Sequence, residues 1–210
     1  MLAQMTARLR AQDTFESCVQ TMLDDVVALH GAEFGDIQLP IGDEIVLVAQ
    51  RNLPAHFLQT FRRVSKDDGC VCGRALRLRD SIVVPDIERD EHFAPFVMEG
   101  RTTGFRSVQS TPMFAQDGSF MGMISTLFAN PHTPSAIEMA TLKSYVSMAA
   151  AHLSELLGTA RLEEKASQMN VTLYAASDRG GGSQVPHRRV KKIIPGKKPR
   201  TPRADRRKPR

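Results

Sequence analysis

The sequence predicts a small α/β domain of the α+β type, and residues 69–134 carry most of that prediction. Three short apolar runs in this stretch have the length of buried strands; they cover residues 82–84, 108–114 and 120–128. The last two runs flank Asp117-Gly118, a dipeptide typical of a tight hairpin because it tolerates positive backbone angles. A cysteine pair flanked by glycines precedes the first run, and a Pro-Asp turn follows it. We therefore expect strands, a hairpin and short helices in one unit.

The first element is predicted to be a helix over residues 13–30. Its apolar side chains recur at three- and four-residue spacing and form one stripe: Phe15, Cys18, Val19, Met22, Val26 and Leu29. Asp13 is expected to cap this helix and Gly31 to end it. Residues 36–39 and 45–50 then predict a first pair of strands, with residues 40–44 as their connection.

A short helix is predicted on each side of Asp67-Asp68-Gly69. The first belongs to residues 52–64, a turn and helix whose apolar side chains are Leu53, Phe57, Leu58 and Phe61. The second covers residues 73–78. Residues 86–104 are predicted to be a long loop, and loops of this length in compact domains usually have a function.

The last predicted helix begins after Ser135, because Ser135 and Glu138 form a capping-box pattern. An apolar seam with heptad spacing follows on this helix: Leu142, Val146, Ala149, Leu153, Leu156 and Ala160. The seam has two possible explanations: the helix packs on the sheet of its own chain, or it forms a contact between two copies of the chain. Helical propensity extends over residues 158–177 until the glycine-rich stretch at residues 177–183 breaks it.

The chain from residue 178 onward is predicted to be a disordered basic tail. From His187 it contains 12 Lys or Arg and one Asp, a net charge of +11, whereas residues 1–186 carry 16 basic and 22 acidic residues. Four prolines among such dense charge cannot assemble a core. The charge predicts non-specific contact of residues 187–210 with nucleic acid or an anionic membrane surface, and a solubilising role is the alternative.

The composition indicates a cytoplasmic protein. No window holds the roughly 18 uninterrupted apolar residues that a membrane span needs, and the N-terminus shows no secretory signal. Three cysteines in 210 residues indicate reduced thiols rather than a disulfide scaffold. No P-loop, dinucleotide fingerprint or nucleophile elbow occurs, so enzymes of those classes are not expected.

The motifs of residues 13–157 resemble the GAF domain family, in the variant found as an input domain of bacterial sensor histidine kinases. The resemblance rests on the blocks GCVCGRAL, IVVPDI, HFAPF, GFRSVQSTPM and DGSFMGMISTLF, followed by Pro131. It implies a central, mostly antiparallel sheet with helices on both faces and a ligand pocket on one face. It also implies non-catalytic small-molecule or redox sensing in a two-component system. The signal would pass by helix-mediated homodimerisation to a kinase or response-regulator partner.

The resemblance does not name a cofactor, because members of the family bind different ligands. The candidate ligand-binding residues lie in the quoted blocks and in the loop between them: Cys70, Cys72, Asp86, Phe93, Phe96, Arg106, Gln109 and Thr111. Together with Phe93 and Phe96, Phe105 is expected to form the apolar wall of the ligand pocket. Strand alternation places Gln109 and Thr111 on one face, whereas Arg106 projects to the other. For Arg106 the alternative is an ion pair with Asp86 or Glu88.

Cys70 and Cys72 permit two interpretations. They lie at the start of a predicted helix, where exposed amide groups lower a thiol pKa; alternatively, one of them only packs into the pocket wall. The GAF branch of free methionine-(R)-sulfoxide reductases uses a nucleophilic thiol and a resolving cysteine. That branch has a further cysteine in the loop after the Pro-Asp turn, where this chain has Phe93-Ala94-Pro95-Phe96. Reductase activity is therefore not expected. A zinc site is not expected either, because no further His or Cys stands near His92 at the spacing of zinc ligands.

Overall fold

One antiparallel sheet forms the centre of the fold. The computed structural model describes residues 1–157 and 161–180, the last four by backbone only. Within that range six strands form the sheet: β1 Phe34–Ile41, β2 Glu44–Arg51, β3 Arg63–Ser65, β4 Ile82–Val84, β5 Ser107–Phe114 and β6 Phe120–Phe128. Their order is β3-β2-β1-β6-β5-β4, and each neighbouring pair is antiparallel. The predicted α+β class with a mostly antiparallel sheet is confirmed.

Helices cover both faces of this sheet, as the resemblance to GAF domains implies. The helices are α1 Leu2–Arg10, α2 Phe15–His30, α3 Ala55–Thr60, α4 Val71–Leu78, α5 Val97–Thr103, α6 Ala136–Leu157 and α7 Leu162–Gly180, with a 3-10 turn at Ala94–Phe96. One apolar cluster joins α1, α2 and α6 to one face. A second cluster on the opposite face contains side chains of α3, α4 and the phenylalanines of residues 93–105. The sheet therefore separates two cores, which we call the α2/α6 side and the α3/α4 side.

The heptad seam of α6 packs inside the chain's own core. Its members Leu142, Val146, Ala149 and Leu153 are at most 3% exposed, and α6 contacts both α1 and α2. Leu156 is partly buried against the same cluster, and Ala160 lies outside the described residues. Packing within the monomer, one of the two explanations left open, accounts for the seam. A dimer contact through these side chains would require α6 to separate from its neighbours.

The ends of α2 and α6 follow from their capping residues. Thr14 caps α2, because its Oγ1 accepts a hydrogen bond from the Ser17 amide at 3.1 Å; the prediction of Asp13 was wrong by one residue. Gly31 ends the helix in the left-handed conformation, at φ 59°. The capping box before α6 is confirmed, since the Ser135 amide donates to Glu138 Oε2 and the Glu138 amide to Ser135 Oγ.

Several connections differ from their predictions. The hairpin between β5 and β6 closes through the amide of Ala115 and the carbonyl of Ser119, and within it Gly118 alone has a positive φ. The connection is therefore wider than a two-residue turn. The loop predicted over residues 86–104 contains the 3-10 turn and α5. The edge strand β3 was missed because its residues, Arg63-Val64-Ser65, include one apolar side chain, whereas the three residues of β4 are all apolar.

The predicted extension of the last helix is a separate helix, α7, which packs back on the sheet. It lies against β1 and β2. Asn170 Nδ2 donates to the Leu47 carbonyl at 2.6 Å, and Tyr174 Oη donates to the Leu58 carbonyl at 2.5 Å. No helix within the described ranges has both the length and the apolarity to cross a bilayer. The predicted tail contacts of residues 187–210 lie outside the described residues.

A buried polar network joins α1, α2 and α6. The Asp25 carboxylate, on α2, accepts a hydrogen bond from Tyr145 Oη at 2.7 Å and lies 2.9 Å from Arg8 Nη1. Asp25 is 2% exposed and Tyr145 is fully buried. Burial, followed by the hydrogen bond to Asp25, raises the pKa of Tyr145. The network therefore ties the N-terminal helix to a residue on each of the two helices beneath it.

We expect Tyr145→Phe to lower the free energy of unfolding by about 2 kcal/mol, because it removes a hydrogen bond to a buried charged group. Urea denaturation monitored by circular dichroism measures the change. Asp25→Asn and the double variant complete a cycle, in which the two single effects should not add. Additive effects would show that the hydroxyl and the carboxylate stabilise the fold independently.

Candidate functional site

Polar side chains form the floor of a cavity on the α3/α4 side of the sheet. Asp36 and Gln38 alternate along β1 and so share one face, and Asp36 pairs with Ser125 on β6. Ser125 in turn pairs with Ser110 on β5, and their hydroxyl oxygens are 2.9 Å apart. The intervening residues Ile37 and Leu39 belong to the core of the α2/α6 side. Strand alternation and pairing thus gather these four polar groups on one surface.

Aromatic rings form the roof and walls of the same cavity. Phe57 lies on α3 and Phe61 just after it, with ring centroids 4.6 Å apart. Phe105 makes edge contacts with Phe57 at 6.0 Å and with Phe93 at 6.1 Å. The enclosed volume is about 20 Å³, which is roughly the space of one water molecule. The predicted pocket exists on this face, but in this conformation it is nearly filled by its own aromatic side chains.

The cysteine pair lies beside the polar floor. Cys70 precedes α4 and is buried, and Cys72 lies in the first turn of that helix. Cys72 Sγ is 3.8 Å from Ser125 Oγ and 3.7 Å from Ser110 Oγ. Its contact with Cys70, and then burial, raise the pKa of Cys72 well above its ordinary value. This direction is opposite to the lowering of a thiol pKa that a helix start favours, and it agrees with the alternative in which the thiol packs into the pocket wall.

Asp36 is the unusual group of the site. It is 2% exposed, and its Oδ1 has no hydrogen-bond partner among the described residues. The same holds for Gln38 Oε1, and Gln38 is 1% exposed. Burial, and next the neighbouring Cys72, raise the pKa of Asp36 well above its ordinary 3.8. A buried carboxyl without a counter-charge costs stability, and such groups persist where a protein uses them.

Asp36→Asn is expected to change how stability depends on pH. Between pH 3.8 and its raised folded-state pKa, Asp36 keeps a proton that the unfolded chain has lost. The free energy of unfolding therefore falls as the pH rises through this window, by about 1.4 kcal/mol per pH unit. The Asn variant lacks this fall, so the wild type should lose stability relative to Asp36→Asn as the pH rises from 4 to 8. Urea midpoints from pH 4 to pH 8 measure the effect.

Asp117→Asn is the matched control, because Asp117 lies on the exposed hairpin and hydrogen bonds from Ser119 lower its pKa. Its contribution to stability has the opposite sign and is lost as the pH falls. A wild-type protein whose stability does not fall between pH 4 and pH 8, relative to Asp36→Asn, would contradict the burial of an unpartnered carboxyl.

The predicted ligand residues divide between three places. Cys70, Cys72 and Phe93 line the cavity, and Phe96 lies behind it with its ring 5.7 Å from Phe93. Gln109 and Thr111 alternate with the pocket-facing Ser110 and so project to the opposite face, where Thr111 Oγ1 donates to Ser81. Gln109 and Thr111 therefore do not line this cavity.

Asp86 and Arg106 lie outside the cavity and bind each other. Both Asp86 oxygens lie 2.9 Å from Arg106 Nη2, and Glu88 lies 3.3 Å away. The ion-pair alternative for Arg106 is thus what the structure contains. Asp86 borders a more open cleft of about 530 Å³ near His132. The second carboxylate that lines the cleft belongs to Asp90, which forms an ion pair with Arg74 at 3.0 Å. Both carboxylates of the cleft therefore already have partners.

Sequence reasoning missed the cavity residues Asp36, Gln38 and Ser125, and also Ser110, which contacts Ser125 and Cys72. The available signal was the alternation of polar and apolar residues over residues 36–39, which also fits a strand with one face in water. No group of three or more His, Cys, Asp or Glu in the described part of the chain could hold a metal ion.

Comparison with known families agrees with this architecture. The GAF domain family profile matches residues 12–154, which is more than half of the chain. The chain belongs to the GAF domain family. GAF domains are common sensory and regulatory domains of signalling proteins, and the predicted resemblance over residues 13–157 is confirmed. No protein of curated function matches the chain in sequence.

Solved structures share the fold of this GAF domain at low sequence identity. The GAF domain of an Acinetobacter phosphoenolpyruvate-protein phosphotransferase is 13% identical, with 73% of this chain and 90% of that chain covered and a TM-score of 0.61. A domain assigned to a two-component sensor histidine kinase of Sinorhizobium meliloti 1021 is 13% identical, with coverages of 77% and 96% and a TM-score of 0.51. Free methionine-R-sulfoxide reductase from Neisseria meningitidis is 17% identical, with coverages of 80% and 88% and a TM-score of 0.58. These similarities show a common fold.

Proposed function

We propose that this GAF domain is a non-catalytic small-molecule sensor whose ligand enters the cavity between the β1 floor and the aromatic roof. The observation that carries the proposal is a pair of buried oxygens, Asp36 Oδ1 and Gln38 Oε1, which belong to cavity-lining residues and have no hydrogen-bond partner in the described part of the chain. Native proteins rarely leave such groups unsatisfied, and a ligand is one partner that would satisfy them. Because the cavity has room for about one water molecule, a ligand must displace the phenylalanine side chains of the roof as it binds.

The roof offers a route from the cavity to α7. Phe57 lines the cavity, and the carbonyl of the next residue, Leu58, accepts the hydrogen bond from Tyr174 on α7. The Arg62 guanidinium stacks on the same Tyr174 ring at 4.2 Å. Displacement of α3 by a ligand would therefore act directly on two contacts of α7. We propose that output to a kinase or response-regulator partner begins with this helix rather than with a dimer seam on α6.

A screen of small metabolites by thermal shift, with native mass spectrometry of the purified protein, tests ligand binding. Ser125→Leu fills the cavity floor and should abolish the shift caused by any pocket ligand. Ser147→Leu adds the same side chain to an exposed position of α6 and should leave the shift unchanged. Ligands that stabilise both variants equally, or no ligand by either method, would contradict the proposal.

The thiols favour no second function. Cys18 is fully buried on the α2/α6 side, so of the three cysteines in the sequence only Cys70 and Cys72 reach the cavity. The raised pKa of Cys72 opposes the thiolate that a sulfoxide reductase needs. Reductase activity is a property of the Neisseria protein, and the residues of this chain do not support its transfer.

A further inference from the structure

Two buried oxygens in the cavity have no hydrogen-bond partner among the described residues. Asp36 and Gln38 each leave a buried oxygen unpartnered within the described residues. The hydroxyls of Ser110 and Ser125 bond each other and also approach the Cys72 sulfur. A ligand with N–H groups in this space would satisfy both oxygens once the Asp36 carboxyl has lost its proton.

The charge of the lining restricts the ligand further. Asp36 is the one charged residue type in the described lining, which contains no Lys, Arg or His. An anionic ligand, such as a phosphate ester or a carboxylate, would be desolvated beside a carboxyl group with no counter-charge, which is strongly unfavourable. A cation would find in Asp36 the counter-charge that the protein itself does not supply.

The walls suit the apolar part of a cation. Phe57, Phe61, Phe93 and Phe105 all border the cavity, and the negative faces of aromatic rings attract ammonium groups. Val71, Val108 and Leu127 complete the lining. A carboxyl group within an aromatic enclosure is an environment that recognises alkylammonium ions.

We propose that the ligand is a small organic monocation with an N–H-bearing ammonium group, held by Asp36 and Gln38, with its alkyl body against the phenylalanines. This inference rests on the proposed function and specifies its ligand class. The present volume of about 20 Å³ matches the ammonium group alone, so the alkyl body must displace Phe57 and Phe61. The body is therefore small, on the scale of a few carbon atoms.

Binding of such a cation is coupled to release of a proton. Burial and the neighbouring Cys72 raise the pKa of Asp36, so the unliganded carboxyl holds a proton to higher pH than usual. Among the described residues, the other ionisable groups near it are Cys70, Cys72 and Tyr174, and the Arg62 guanidinium lies on the ring of Tyr174. When the ammonium binds as a cation, the Asp36 proton passes to solvent. The affinity should then rise about tenfold per pH unit below the folded-state pKa of Asp36.

The test compares three probes of similar shape on the full chain: n-butylammonium chloride, n-butanol and sodium butyrate, at equal ionic strength. Isothermal titration calorimetry in two buffers of different ionisation enthalpy measures affinity and protons released. We expect butylammonium to bind with release of a proton, and Asp36→Asn to weaken it at least tenfold. Asp117→Asn, which removes an exposed carboxylate, should bind like the wild type.

Other results would overturn the cation proposal. Tighter binding of butanol or butyrate would do so, as would equal binding of butylammonium to Asp36→Asn, or no binding of butylammonium to the wild type. These failures differ from a failure of the sensor function. A neutral or anionic metabolite whose stabilising effect is lost in Ser125→Leu would keep the sensor and exclude only the cation.

Discussion

Leu153→Asp is expected to abolish folding of the domain. Leu153 lies on α6 and is fully buried in the core on the α2/α6 side of the sheet. Removal of a buried leucine side chain costs about 2–5 kcal/mol, and the new carboxyl would be desolvated without a partner, at a cost of several kcal/mol more. A total stability of about 5–15 kcal/mol is typical of domains of this size. We expect the variant to lack a cooperative thermal transition by circular dichroism.

Ile137→Asp is the control on the same helix. Ile137 is 79% exposed in the first turn of α6, where an acidic side chain suits the helix dipole; its effect should stay within about 0.5 kcal/mol. The comparison also separates the two explanations of the heptad seam. A Leu153→Asp protein that folds normally but changes from dimer to monomer would show that the seam joins two chains.

Gly73→Ala, in α4, is expected to cause the second large loss of stability. A Cβ atom at this position would lie 2.5 Å from the Asp68 carbonyl oxygen and 2.6 Å from that of Ser65. Both oxygens belong to a turn fixed by two hydrogen bonds between Ser65 and Asp68, so the turn cannot move aside cheaply. Overpacking of this kind costs about 3 kcal/mol. Because α4 carries Cys72, we also expect faster reaction of that thiol with an aromatic disulfide reagent.

Gly42→Ala provides the comparison, because no heavy atom lies within 4 Å of its added Cβ and only the positive φ of 59° opposes the substitution. The expected cost is about 1 kcal/mol, with unchanged thiol reactivity. Equal losses of stability in the two variants would show that the contact between α4 and the turn is not tight.

The strands and main helices could be predicted because their signals are local. The β5–β6 pair contains long apolar runs, and the ends of α6 and α2 are marked by Ser135 and Gly31. The independent packing of α7 could not be predicted, since the sequence shows helical propensity but not which surface the helix covers. Its contacts with Leu47 and Leu58 join residues more than a hundred positions apart.

The pocket was harder to predict than the sheet that holds it. Asp36 and Gln38 follow the pattern of a strand with one face in water, and only the cover of α3, α4 and the phenylalanines makes that face an interior. In β5, polar residues occupy both faces, so alternation could not distinguish Ser110 from Gln109 and Thr111. The pairing of Ser110 with Ser125 shows which face of β5 is turned toward the cavity. This pairing depends on the register between two strands, which the sequence alone does not give.

The division of the molecule by its sheet has an evolutionary consequence. Along β1, Ile37 and Leu39 anchor the strand to the α2/α6 side, whereas Asp36 and Gln38 face the cavity. If the proposed ligand binds there, the residues that contact the ligand and the residues that stabilise the fold alternate along one strand. On that proposal, a single substitution at position 36 or 38 would change the ligand and leave the packing of Ile37 and Leu39 unchanged, so homologous domains with the same fold would respond to different signals.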